Sequence, residues 1–153
     1  MEPAVSAPSD LDAVRIRRAE LRETLNALEE ALAAPARGRD VVWGENVHAA
    51  LRTLAGDFDA HIEVTEGPGG LHQSILAGDL RLSNPVDALT QEHAQIAREI
   101  VQLVADSEPP VTTDDASELR ESATRTLGHL IRHRQRGADL IYEAFQTDIG
   151  GGD

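Results

Sequence analysis

Four long stretches of this chain repeat an apolar residue every three or four positions, and none alternates apolar with polar as a strand does. The first stripe is Leu11, Val14, Leu21, Leu25, Leu28 and Leu32. The second is Trp43, Val47, Ala50, Leu54, Phe58, His61 and Thr65, and the third is Val86, Leu89, His93, Ile96, Ile100 and Leu103. The last holds Leu119, Ala123, Thr126, Leu130, His133, Gly137, Leu140 and Ala144. At about 100° per residue each stripe is one face of an amphipathic helix. Segments with proline or glycine separate them: PARGRD at 35–40, GPGG at 67–70 and SEPPVTTDD at 107–115. Such a helix is stable only when its apolar face is covered, so four of them predict an all-α, up-down four-helix bundle.

The boundaries follow from capping chemistry. Residues 1–9 read as a flexible N-terminal tail, 10–149 as the bundle and 150–153 as a C-terminal tail. Ser9 or Asp10 is expected to cap the first helix, which runs to about Ala34. The second helix spans 41–65, and the third opens at Pro85 with Asn84 as its cap. A Thr or Asp near 112–115 starts the fourth, whose seam runs from Leu119 to Ile149 before the closing glycines. The connection 67–85 is long for a bundle, with a helical turn expected at 71–76. GPGG reads as a helix stop, because no strand precedes it and no basic residue accompanies it as a phosphate loop requires.

Composition excludes several kinds of chemistry. With no cysteine among 153 residues there is no disulfide, thiolate metal site or thiol nucleophile. A net charge of −13 repels nucleic acid and anionic lipid unless positive charge is concentrated. Arg15, Arg17 and Arg18, and likewise Arg132, Arg134 and Arg136, are small clusters spread around their helices, and the widely different angles of the second three suit a solvated face better than a phosphate groove. Neither a signal peptide nor a membrane span is evident, so the expected address is the cytoplasm. Every basic residue is arginine, a bias that goes with a GC-rich, bacterial genome.

Histidines interrupt the apolar faces. His61, His93 and His133 sit within three different stripes, and His129, one turn before His133, lies on the flank of the last. Counting from each connection brings all of them, with Val14 and Arg18, to one level of an antiparallel bundle. One seam histidine is ordinarily a hydrogen-bonded core residue, but imidazoles converging from three helices are what a divalent transition metal needs. His48 lies about 100° off its stripe and His72 falls in the long connection, so both are expected at the surface.

The segment HIEVTEGPGGL at 61–71, the QEHAQI stretch around His93 and the His129-x3-His133 pair, in that order, resemble the hemerythrin-like (HHE cation-binding) family over roughly residues 41–150. The resemblance implies a non-haem iron centre, usually di-iron, that binds or senses oxygen, nitric oxide or peroxide, or handles iron. Its ligands here would be His61, Glu66, His93, His129 and His133. The ligand set is degenerate. Where the family has a histidine on the first helix, this stripe offers Arg18. Where it has His-x3-Glu, Thr65 follows His61 and Gly137 follows His133, while Glu66, Asp139 and Glu143 point off the seam. Without carboxylates to bridge two irons, a single ion on His61, His93 and His133, joined by His129 or Glu66, fits the residues, and so does a metal-free descendant. No general base stands beside the histidines, which favours a non-enzymatic protein. Two alternatives remain open. One is a metal transferase or hydrolase similar to the DinB-like bundles, which hold zinc or nickel on three histidines. The other is an interaction module in which Arg18 and the imidazoles form a buried network, paired with Glu66 or holding a small anion.

Overall fold

A computed structural model describes residues 6–146, and among these every regular element is helical. The rods are α1 (Ser6–Ala33), α2 (Asp40–Glu66), α4 (Ser83–Asp106) and α5 (Thr113–Phe145). The short α3 (Leu71–Gly78) and a 3₁₀ turn at Leu80–Leu82 fill the long connection. The four rods pack together as antiparallel neighbours, α1 closest on α2 and α4 lying between α2 and α5. No helix of the described residues is long and apolar enough to cross a membrane.

Local chemistry places the ends. α2 stops after Glu66 because the GPGG turn brings backbone oxygens where side chains would be. A Cβ on Gly67 would collide with the Glu63 carbonyl, and one on Gly70 would meet three carbonyls at 2.9 Å. Thr112 caps α5 by accepting the Asp115 N–H at 3.2 Å. Other expected ends shift. α1 is already helical at Ser6, so Ser9 and Asp10 are not its caps. α4 opens at Ser83, whose hydroxyl donates to the Leu80 carbonyl, and Asn84 therefore lies inside the first turn rather than at the cap. α5 closes at Gln146, in the left-handed region at φ 56°, ahead of Ile149. The glycine ending and the 150–153 tail lie outside the described residues, as does the tail at 1–5.

Almost all the expected stripe residues are buried, and the core falls into two apolar halves. One holds Leu21, Leu28, Trp43, Leu51, Phe58, Ile100 and Leu130; the other holds Val14, Leu71, Ile75, Leu89, Leu140 and Ile141. Between them, on each rod in turn, stand Arg18, His61, His93 and His133, all buried. The seam between α1 and α5 is tied by arginines reaching backbone carbonyls. Arg120 donates to Leu32 and Ala34 at 2.9 and 3.0 Å, satisfying the open end of α1, and stacks over Trp43. Arg18 donates from Nη2 to the Arg134 carbonyl at 3.3 Å. Arg134 is itself buried, which corrects its reading as part of a solvated face.

The first helical turn of α2 lies unusually close to the α4–α5 connection. A Cβ on Gly44 would meet the Val111 side chain at 2.7 Å. Gly44→Ala is therefore expected to destabilise the fold by about 1–3 kcal/mol through overpacking, despite alanine's better helix propensity. Chemical denaturation checks it, and a gain in stability would contradict the packing described.

Candidate metal centre

Each of the three rings is delivered by its helical period. His61 lies one turn after Phe58 on α2, His93 one turn from both Leu89 and Ile96 on α4, and His133 one turn after Leu130 on α5. Their ring centroids are 4.6 to 5.6 Å apart. Phe58 forms an apolar floor 5.7 to 6.2 Å from all three. One nitrogen from each ring lies within 4.8 Å of those of the other two. Tetrahedral coordination at about 2.0–2.1 Å sets nitrogens about 3.3 Å apart, so side-chain adjustment of up to about 1.5 Å would close the set around one ion.

The outward faces of two rings are fixed by carboxylates. His93 Nδ1 lies 2.6 Å from Glu66 Oε2, and His133 Nδ1 lies 2.7 Å from Glu92 Oε1. An ionised carboxylate only accepts, so both rings donate from Nδ1, which leaves Nε2 of each neutral ring as a bare lone pair. Arg136 pairs with the same Glu92. His61 has no such partner: its Nδ1 is buried and makes no hydrogen bond.

Burial keeps the rings neutral. It pushes His61 well below its ordinary range, with the neighbouring His93, His133 and Arg18 adding to the shift. His93 and His133 are also lowered, chiefly by burial, against the opposing pull of Glu66 and Glu92 respectively. Burial disfavours ionised Glu92 too, but hydrogen bonds from His133 and Arg136 outweigh it and hold the carboxyl below its usual range. Neutral imidazoles with oriented rings are the form that binds metal.

The other expected ligands lie elsewhere. Glu66, at the last position of α2, stands behind His93 rather than among the three donors, and it does not pair with Arg18. His129 belongs to a separate network on the flank, 2.8 Å from Glu99, which also accepts from Thr126 at 2.8 Å. Thr65 turns its hydroxyl back to the His61 carbonyl at 2.8 Å. His72 is a correction. Instead of lying at the surface it is buried, 3.3 Å from Thr90, and stacked parallel to His93 at 5.9 Å. α3 folds over the end of the bundle and carries it there, and burial lowers it to about 4.

Sequence reasoning missed the role of Glu92, although a signal exists. Glu92 and Glu99 lie a heptad apart on α4, and their partners His133 and Thr126 lie a heptad apart on α5, in reverse order. That is the register of an antiparallel helix pair.

What fold and site define together is an all-helical bundle with a buried three-histidine cluster. Comparison with known protein families, with curated proteins and with solved structures finds no match for this chain.

Two outcomes follow for the metal-free protein. The unfolded chain takes up protons at histidine near pH 6.5, whereas the folded chain withholds them at His72 until about 4 and lowers the three clustered rings as well. The unfolded state then binds more protons across that window, so stability falls as pH drops from 6.5 toward about 4. Thermal denaturation in chelator measures this, and a pH-independent midpoint would contradict it. Second, His61→Leu removes an unpartnered buried nitrogen and is expected to raise metal-free stability by about 1–3 kcal/mol. Lower stability in the same assay would mean that the ring is a structural element.

Proposed function

We propose that this is a hemerythrin-like metal protein whose centre is mononuclear: one divalent transition ion on His61, His93 and His133. The observation that carries the reading is the pair of Nδ1–carboxylate hydrogen bonds, Glu66 behind His93 and Glu92 behind His133. They aim two lone pairs inward and raise ring basicity, as carboxylates behind metal-bound histidines do. The buried, unpartnered nitrogen of His61 supports it too, because a bare apolar core has no use for one.

Two irons fit poorly. No carboxylate is among the clustered donors to bridge them, and Arg18 lines the same cavity. Imidazole suits iron, zinc, nickel and copper, with iron the choice the family resemblance favours. An ion on three histidines with an open position polarises a bound water or takes up a small ligand. The chain's own part is to keep the imidazoles neutral, orient them, and enclose the site between Phe58 and α3. Sensing of a small diatomic ligand, or iron handling, is the role proposed in a cytoplasmic setting. A DinB-like transferase or hydrolase would use the same three histidines with zinc.

Elemental analysis of protein purified from metal-supplied cells is expected to find one ion per chain, and iron or zinc in that position separates the readings. The His93→Ala, His133→Ala double variant is expected to lose it. Glu92→Gln should keep the fold and weaken metal affinity by about 10–100-fold. Wild-type protein that is folded and binds no metal at stoichiometric concentration sinks the proposal and leaves the metal-free module.

A further inference from the structure

The three clustered rings are buried, so an ion reaches them only by giving up its water shell inside the protein. Shedding that shell with nothing to replace it is costly. The sides of the layer differ in what they offer a cation. Phe58 and the apolar core close the floor, and α1 packs closest on α2. Between α1 and α5 stand the buried guanidinium groups of Arg18 and Arg134, which repel a divalent ion. Between α4 and α5, Arg136 pairs with Glu92 and Arg132 lines the same groove, so a cation finds that carboxylate already taken.

The end of the bundle under α3 is different. Glu66, the last residue of α2, keeps its carboxylate 29% exposed and has no arginine on it among the ion pairs of the described residues. Just beyond the GPGG turn, His72 lines the cavity that the three rings share and stacks parallel to His93 at 5.9 Å. A single hydrogen-bond contact holds it, 3.3 Å to the half-buried Thr90, so its ring can lend a nitrogen without dismantling a network. It stands outside the three converging donors, and the final ligand set does not use it. Resting on the mononuclear reading above, we propose that His72 is an entry ligand: a divalent ion drawn in past Glu66 exchanges a water for the His72 ring and is handed from it to His93 and its two partners. Water leaves as the His72 nitrogen binds, and His72 leaves as the His93 nitrogen binds, with no proton or electron moved. Such a ligand lowers the barrier and not the end state. It therefore speeds uptake and release alike and leaves affinity unchanged.

The test follows the visible bands of cobalt(II) on the full chain at neutral pH, during uptake by the metal-free protein and during release into excess chelator. His72→Ala is expected to bind one equivalent with wild-type affinity while both rates fall by about tenfold. Slowing is the informative sign, because a ring that merely sealed the cavity would leave a hole when truncated and exchange would quicken. His72→Gln, which keeps a hydrogen-bonding group for Thr90 but no imidazole, is expected to slow as well and carries the test if the alanine variant does not fold. Exchange as fast as wild type, or faster, in a folded variant overturns the entry ligand while the metal site stands. Weaker binding with quicker release overturns it too, and makes His72 a member of the final ligand set. If wild type takes up no cobalt, the metal reading fails and the entry ligand with it.

Discussion

Two Nδ1–carboxylate hydrogen bonds, from His93 to Glu66 and from His133 to Glu92, decide what the middle of this bundle is. Without them each ring would be free to turn, and a neutral histidine inside an apolar core would settle for whichever polar atom it met. With them, both rings donate from Nδ1 and keep Nε2 as a bare lone pair, and one nitrogen of each lies within 4.8 Å of one on His61. The carboxylates are only about a quarter exposed, so the constraint acts at the edge of the core, where a charge can stay hydrated while its partner is dry.

The layer has a structural cost that the rest of the fold absorbs. Apolar contact is continuous above and below it but broken across it, with Phe58 on one side and Leu71, Leu89 and Leu140 on the other. Cohesion across the layer comes instead from hydrogen bonds that tie α4 to α2 and α5, and from Arg18 reaching α5. Arg18 packs its guanidinium beside Gly137, with Nη1 3.4 Å from where a Cβ there would stand. The layer thus carries an inward positive charge beside its neutral imidazoles.

Much of this was legible in the residues. The stripes on all four rods fell on buried positions because a helical period is a local property and burial follows from it. Antiparallel counting brought His61, His93, His133 and Arg18 to one level for the same reason, since rise per residue is fixed. Positions outside a clear stripe are settled differently. A loop histidine such as His72 has no periodicity to locate it, and only the packing of α3 over the bundle end buries it. His129 and Glu66 pair with Glu99 and His93, and a position on the flank of a stripe points between two neighbours. Which neighbour it meets depends on how far each helix is rotated about its own axis.

The sequence by itself determined the rods, their breaks and the height of the polar layer, because dihedral preferences, glycine sterics and apolar spacing act within a few residues. Tertiary structure alone decided which side of each imidazole faces inward. It also decided that Glu92 stands behind His133 while Glu99 serves His129, and that Arg18 lies in the cavity with no carboxylate among the described residues paired to it. Those outcomes depend on the rotation and spacing of helices that are far apart in the chain. A shift of one residue's angle, about 100°, would exchange one partner for another without altering any local preference.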